Sequence, residues 1–484
     1  MAKKKVALVL SGGVSLGSYI AGALDELMRA FASSDEYEID IITGASAGAT
    51  TAAIIAHGLL YRGGETKLQD VWVNKVDILE LLAEDMPAGE TPSLLNSRRL
   101  REVAEETLKW EEDPANARRA SFCAEELVVA MTLTNTSALP YVSRIKQPTA
   151  DGDQEFVQYR HTEQETFRLS SDFLPTDAIW QRISTVARAS AAIPFAFPMV
   201  KLTREAKNDR HYVQTPSFDG SADFWYCDGG TFNNLPIDLA WWYASQVGDL
   251  DERIFVIINP WRREVGSINK NPDPPNLLEY AVTLLSAMML ESSAIQLQNE
   301  VVFRSKQQRN QDAGVGLEAA MPGIDPAPVD VLGKFALVMP VAEGPGQKGR
   351  LRGNHMQALG AFLDQSFRMY DFRRGAADAR QIALHRLNIP KYEAGPERPD
   401  SFYDPDADDG AKLDLTNYAN LGKIPSARNP KLTVKQSFEK ALEKRIRALF
   451  GAWNAPGPDF LTDPLVSRWL NNYVRGKLPD VWNM

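Results

Sequence analysis

Cysteine is almost absent from this chain. Its 484 residues hold two, Cys123 and Cys227. Two cysteines far apart in the chain make neither a disulfide framework nor a zinc site, and they favour a reducing, cytoplasmic setting. Excess positive charge is absent too: 53 basic residues face 63 acidic ones, for a net −10. A chain without a basic footprint is not expected to bind nucleic acid. Long hydrophobic runs are lacking. The longest apolar helical stretch, Tyr280 to Leu290, falls short of the roughly 20 residues that span a bilayer. At the N-terminus, Lys3-Lys4-Lys5 precedes only five apolar residues, Val6–Leu10, before Ser11-Gly12-Gly13. A secretory signal needs about seven or more. What remains, 44% hydrophobic and 24% charged, excludes a disordered, collagen-like or multi-span membrane chain.

The order of elements points to an α/β fold. Val6–Leu10 is a short apolar run bounded by glycine, which fits a central parallel strand. Gly17 to Phe31 has helical spacing in Ile20, Leu24, Leu27, Met28 and Phe31. Ile39–Thr43 is a second strand, followed by a small-residue helix, Ala47–Ala56. Leu127–Leu133 and Ile254–Ile258 are further strands. This alternation predicts a mainly parallel sheet with helices on both faces. Alternation over Tyr141–Leu169, around Asp151-Gly152-Asp153, predicts a β-hairpin beside that sheet. Beyond Pro272, Pro274 and Pro275 the chain reads as mostly helical, with helices over Leu277–Arg304, Met356–Leu387 and Val434–Phe450. Thr433 and Gln436 stand at capping-box spacing before the last. A Pro/Asp-rich loop is expected near 390–410. The division drawn is 1–265, an α/β domain, and 266–484, a mostly helical C-terminal region.

Three features carry chemistry. Gly44-Ala45-Ser46-Ala47-Gly48 is G-x-S-x-G between a strand and a helix, the setting of a nucleophile elbow. In a chain this rich in glycine the bare motif arises by chance in roughly one case in ten, so the setting matters more than the letters. Ser11-Gly12-Gly13-Val14-Ser15-Leu16-Gly17 follows the first strand. Gly12 and Gly17 have the glycine spacing of a Walker A loop, but Ser18 and Tyr19 replace its lysine and hydroxyl residue. A dinucleotide fingerprint is not present. An oxyanion hole remains, with backbone N–H groups of Gly13 and Val14 as donors beside Gly12. Cys227-Asp228-Gly229-Gly230, followed by Asn233-Asn234-Leu235-Pro236, places an aspartate at a sharp turn. Taken alone, that is an ordinary surface turn.

Together these features resemble the patatin-like phospholipase family. The resemblance covers Lys5 to about Asn259 and implies acyl hydrolases with a serine–aspartate dyad and a three-layer α/β core. It maps Ser46 onto the nucleophile, Asp228 onto the aspartate of the D-G-G motif with Gly229 and Gly230, and Gly12 and Gly13 onto the oxyanion loop. Gly44, Gly48 and Gly17 support the two motifs. Ala189-Ser190-Ala191-Ala192-Ile193-Pro194-Phe195-Ala196-Phe197-Pro198 resembles a further family segment. Val14 and Leu16 depart from the usual third glycine and cation, but the S-G-G-V-S-L loop is similar to that of a patatin-related subgroup. A backbone oxyanion hole leaves the Leu16 side chain without a role, so Leu16→Arg is expected to be tolerated. The second half resembles the same subgroup at Phe367-Arg368-Met369-Tyr370-Asp371-Phe372, with no role implied.

A serine hydroxyl needs a base. Of the five histidines, His57, His161, His211, His355 and His385, only the last two follow Asp228 as in an α/β-hydrolase triad, and neither stands in a catalytic context. The dyad therefore needs Asp228 itself as base. No metal or cofactor is expected. Asp404, Asp406 and Asp408 begin like a calcium loop but lack its glycine and glutamate. Trp241-Trp242-Tyr243 reads as core packing. Lys435, Lys440, Lys444, Arg445 and Arg447 read as the solvated face of a packed helix, with peripheral membrane contact as the alternative. The expected substrate is a phospholipid or another acyl-ester lipid. A non-catalytic lipid-binding or scaffolding relative and a nucleotide-binding α/β protein are the competing readings. The oligomeric state is left open.

Overall fold

The computed structural model describes the chain apart from residues 1–2, 84, 86–89, 92, 110–116, 146–153, 171–175, 206–219, 248–249, 251, 262–276, 306–333, 341–350, 355–357, 390–399, 404–417, 427–428 and 453–484. The Asp151–Asp153 turn, the Pro272–Pro275 break, Asp404–Asp408, His211, His355 and most of the 390–410 loop lie outside the described residues; Asp400–Tyr403 within that loop is helical.

The strands are β1 (Lys4–Leu10), β2 (Tyr37–Gly44), β3 (Cys123–Ile145), β4 (Gln154–Ser170), β5 (Val200–Glu205), β6 (Ser221–Asp228), β7 (Ile254–Ile258) and β8 (Phe335–Val338). The helices are α1 (Gly17–Ala32), α2 (Ala47–Tyr61), α3 (Ile78–Leu81), α4 (Arg98–Thr107), α5 (Asp177–Ser190), α6 (Ile237–Val247), α7 (Leu277–Gln296), α8 (Gln365–His385), α9 (Asp400–Tyr403) and α10 (Val434–Ala452). The strands form one mixed sheet in the order β5-β6-β3-β2-β1-β7-β8, with β4 also on β3. Its centre, β3-β2-β1-β7-β8, is parallel. Alternate residues of β1 feed two cores. Val6, Leu8 and Leu10 enter one and Ala7 and Val9 the other, all fully buried. Helices α1 and α2 cover the first face and α6 the second. This is the mainly parallel sheet with helices on both faces that the strand–helix alternation predicts.

Three elements differ from their expected form. The 127–133 strand and the 141–169 hairpin are one system, because β3 runs from the sheet into the hairpin. A register shift between Thr134 and Leu139, with Ala138 at φ 56°, interrupts the alternation without ending the strand. The 277–304 helix becomes a π-helical turn at Leu297–Phe303. The 356–387 helix starts only at Gln365, where Asp364 caps the Ser366 N–H at 2.9 Å; Gly360–Leu363 before it is a 3₁₀ turn. The capping box of α10 is formed in both directions, Thr433 N–H to Gln436 Oε1 at 3.0 Å and Gln436 N–H to Thr433 Oγ1 at 3.2 Å.

The second half enters the sheet and its helical layer. Strand β8 extends the sheet in parallel beside β7. Helix α8 lies on α1 in near backbone contact: a Cβ on Gly22 would come 1.8 Å from the Phe372 carbonyl oxygen, and one on Gly375 2.0 Å from that of Tyr19. Both positions therefore require glycine.

Candidate active site

Two strand ends meet on β3. β2 runs parallel to β3 and ends with Gly44 opposite Met131. β6 runs antiparallel along the same edge and ends with Asp228 opposite Leu133. The two strands thus point at each other across about two residues of β3, roughly 7 Å. The turn after β2 delivers Ser46 into that gap. Its Oγ–H donates to Asp228 Oδ2 at 2.6 Å, with both side chains buried.

Ser46 sits at φ 52°, ψ −121°, a strained conformation for a residue with a side chain, costing about 1–3 kcal/mol. Packing around it enforces the turn. A Cβ on Gly44 would lie 2.6 Å from the Gly48 carbonyl oxygen, and one on Gly48 2.3 Å from that of Leu10. The Ser46 N–H donates to Ser190 Oγ at 2.9 Å, and the Asp228 N–H to the Ala192 carbonyl at 2.9 Å. The Ala189–Pro198 segment, quoted from sequence without a role, therefore holds both members of the pair. Ser190 is the residue that sequence reasoning missed; nothing in its local pattern signals a contact with Ser46.

Asp228 Oδ1 accepts the Gly230 N–H at 2.7 Å. Burial outweighs this bond and the one from Ser46, and pushes the Asp228 carboxyl up to about 7. Gly229 packs so closely that a Cβ would lie 2.1 Å from the Thr132 carbonyl oxygen. The neighbouring Cys227 thiol is pushed up to about 12 by burial and by Asp228, which leaves it unreactive as a thiolate.

The glycine loop lies over the pair. A Cβ on Gly12 would come 3.1 Å from Ser46 Cβ and 2.0 Å from Asn234 Oδ1. The Gly12 N–H is already used, donating to the Asn234 carbonyl at 2.9 Å. Among the described residues, no protein acceptor takes the Gly13 and Val14 N–H groups. Val14 stands at φ 52°, left-handed for a β-branched residue. Leu16 is fully buried. An arginine there would be buried, so Leu16→Arg is not the tolerated change that the sequence led us to expect.

No histidine joins this site among the described residues. His57 is buried with Tyr61 and Trp180, burial pushes its imidazole down to about 4, and its Nε2 meets the Lys109 carbonyl at 2.9 Å. His161 Nδ1 meets the Asn135 carbonyl at 2.6 Å, and His385 is exposed at the end of α8. Trp241 stacks on Phe255 with ring centroids 5.2 Å apart, in the second core. The guanidinium of Arg445 is buried and donates to the carbonyls of Ala83, Asp85, Ser93 and Leu94. It is an internal anchor and not part of a solvated face. No cluster of three metal-binding side chains occurs among the described residues.

A cavity of about 80 Å³ opens from Ser46 between α2, α4, α5 and the Val71–Val76 turn. Its walls are apolar, with Ile54, Trp72, Val103, Leu108, Phe197 and Phe362 among them. A hydroxyl paired with a buried carboxylate, beside unused N–H groups and at the end of an apolar cavity, can attack an ester whose acyl chain fills that cavity.

The family model described as patatin-like phospholipase matches residues 8–241. That span is just under half of the chain, and over it the chain is similar to the patatin-like phospholipases. A solved structure, VipD from Legionella pneumophila, is similar at 13% identity over 99% of this chain and 88% of that one, with a TM-score of 0.30. No curated protein matches the chain. Among the described residues no helix is long and apolar enough to cross a membrane.

Proposed function

We propose that this protein hydrolyses the carboxylic esters of phospholipids or related acyl lipids with Ser46 as nucleophile and Asp228 as its base. The observation that carries the reading is the 2.6 Å hydrogen bond from Ser46 Oγ to Asp228 Oδ2. Asp228 takes the hydroxyl proton as Oγ attacks the ester carbonyl. The oxyanion accepts the Gly13 and Val14 N–H groups, near the N-terminus of α2. Asp228 then returns the proton to the leaving alkoxide. Water, deprotonated by the same carboxylate, releases the fatty acid from Ser46. Residues 1–265 form the catalytic region in this reading and 266–484 its helical extension. The enzyme works in the cytoplasm, with peripheral membrane contact as the alternative.

The test is active-site labelling with a fluorophosphonate, followed by peptide mapping, alongside release of fatty acid from phosphatidylcholine vesicles. Label on Ser46 and loss of release in Ser46→Ala are expected. An unlabelled, folded protein that still binds vesicles would make it a non-catalytic lipid-binding relative.

A further inference from the structure

The Phe367–Phe372 segment lies far from Ser46 in sequence, yet its side chains reach the glycine loop in two steps. Asp371 is fully buried. Its Oδ1 accepts the Arg352 N–H at 2.6 Å and its Oδ2 the Gly353 N–H at 2.8 Å. The Arg352 guanidinium stacks 4.8 Å above the Tyr370 ring. The turn so held rests on the loop. A Cβ on Gly353 would lie 2.6 Å from Leu16 Cδ2 and 3.0 Å from Ser15 Oγ.

Ser15 is gripped from the same side. Its N–H donates to the Ala358 carbonyl at 2.9 Å, and its Oγ accepts the Ala361 N–H at 3.1 Å. Arg368 fixes that second turn. Its guanidinium is buried, donates to the Ala361 and Phe362 carbonyls at 3.3 and 3.1 Å, and ties them to the Val73 carbonyl at 2.9 Å. Phe362 in turn lines the cavity above Ser46.

The loop needs such a hold. Val14 is left-handed, a conformation that persists only when its surroundings over-determine it. On its C-terminal side the next residue is Ser15, whose N–H and hydroxyl are both bonded to the second half. We infer that Asp371, with the Arg352–Gly353 and Ala358–Ala361 turns, is a positioning device that sets the direction of the Gly13 and Val14 N–H groups. Asp371 touches no substrate. It acts through Leu16 and Ser15, which makes the second half part of the catalytic unit. This rests on the reading of the glycine loop as the oxyanion hole.

The experiment uses the full chain, with Asp371→Ala, Asp371→Asn and Ser15→Ala. Three quantities are read: kcat on p-nitrophenyl butyrate per fluorophosphonate-titrated site, KM, and Ki for an alkyl trifluoromethyl ketone. That ketone forms a tetrahedral oxyanion on the serine, so its Ki reports the oxyanion hole. Asp371→Ala should lower kcat per site by about 10- to 100-fold, as small misplacements of catalytic groups do, with KM within about twofold. Ki should rise by the same factor as kcat falls. Ser15→Ala should move both in the same direction by a smaller factor, and Asp371→Asn, which keeps one of the two acceptors, should lie between wild type and alanine. If Asp371→Ala fails to fold, Asp371→Asn and Ser15→Ala decide. A merely structural role would lower Tm and the number of titrated sites while leaving kcat per site and Ki unchanged, and that outcome overturns the inference. Ser46→Ala is run in parallel: full turnover there would remove the underlying reading, whereas a dead Ser46→Ala beside unmoved loop-support variants would remove only this one.

Discussion

The Asp228 carboxyl, pushed up to about 7 by burial, makes the pH profile of ester hydrolysis a direct test of the dyad. A base must be deprotonated to act, so activity requires the carboxylate and is lost as pH falls through about 7. For one titrating group the reactive fraction falls about tenfold per pH unit below its pKa, reaching on the order of 1% at pH 5. The perturbation is Asp228→Asn. The native carboxylate accepts two hydrogen bonds, from Ser46 Oγ and from the Gly230 N–H. An asparagine has one carbonyl oxygen for these two donors. With that oxygen toward Gly230, its NH₂ faces Ser46 and cannot take a proton. The rate should fall by at least about a hundredfold, roughly 3 kcal/mol of barrier, and the small remaining activity should lose its dependence on pH near 7. Initial rates on p-nitrophenyl butyrate, read at the isosbestic wavelength of nitrophenol from pH 5 to 9, measure both. His57 does not supply this titration, since its imidazole is held down at about 4. A wild-type profile that is flat from pH 5 to 8, or an Asp228→Asn enzyme with near-normal turnover, would refute the assignment of the base.

Other perturbations follow from single contacts. Ser190→Ala strips the acceptor from the buried Ser46 N–H, which should cost about 1–3 kcal/mol of stability and lower kcat; thermal melts and rates check it. Gly12→Ala would drive its Cβ to 2.0 Å from Asn234 Oδ1 and 3.1 Å from Ser46 Cβ, so hydrolysis should vanish while circular dichroism stays native. Ala104 is half-buried on α4 and lines the cavity. Ala104→Trp should depress kcat/KM for long-chain esters far more than for the butyrate. Arg445→Met leaves four backbone carbonyls without their donor, and urea unfolding should report a loss of about 3 kcal/mol.

Legibility in the sequence followed the range of the interactions. The apolar runs of β1, β2 and β7 and the apolar spacing of α1 are local patterns, and each element formed where its pattern lies. The nucleophile turn was equally local, because the small residues at 44, 45, 47 and 48 are what allow the conformation of Ser46. Strand β5 was not legible. Its alternate residues Lys201, Thr203 and Glu205 are exposed, and Leu202 is its one large apolar side chain. Strand β8, four residues long, is too short to show a period. The pairing of β2 and β6 on one edge of β3 was out of reach for another reason. It depends on register between segments nearly two hundred residues apart, which no window of sequence contains. Ser190 and Asn234 were named within quoted motifs, but what they bond to is a property of the folded chain.

The two parts of the proposed site draw their rigidity from different sources. The Ser46–Asp228 distance is set by the sheet, because Asp228 ends β6, Ser46 stands in the turn that leaves β2, and both strands are bonded to β3. Sheet hydrogen bonds cannot set the glycine loop, which has left β1 and has not yet entered α1. Its Gly12 end is fixed through Asn234. Helix α7 holds that asparagine, whose N–H donates to Ser292 Oγ and whose Nδ2 donates to Ser293 Oγ, both at 3.0 Å. Its Ser15 end is fixed through the Arg352–Gly353 and Ala358–Ala361 turns. The support of Asn234 by α7 and the hold on Ser15 both come from beyond residue 266. The serine–aspartate bond can therefore survive damage to the second half that the loop cannot. Such damage should leave an enzyme whose nucleophile is still activated but whose oxyanion is poorly held, a state seen in turnover and in inhibitor affinity before it is seen in the fold.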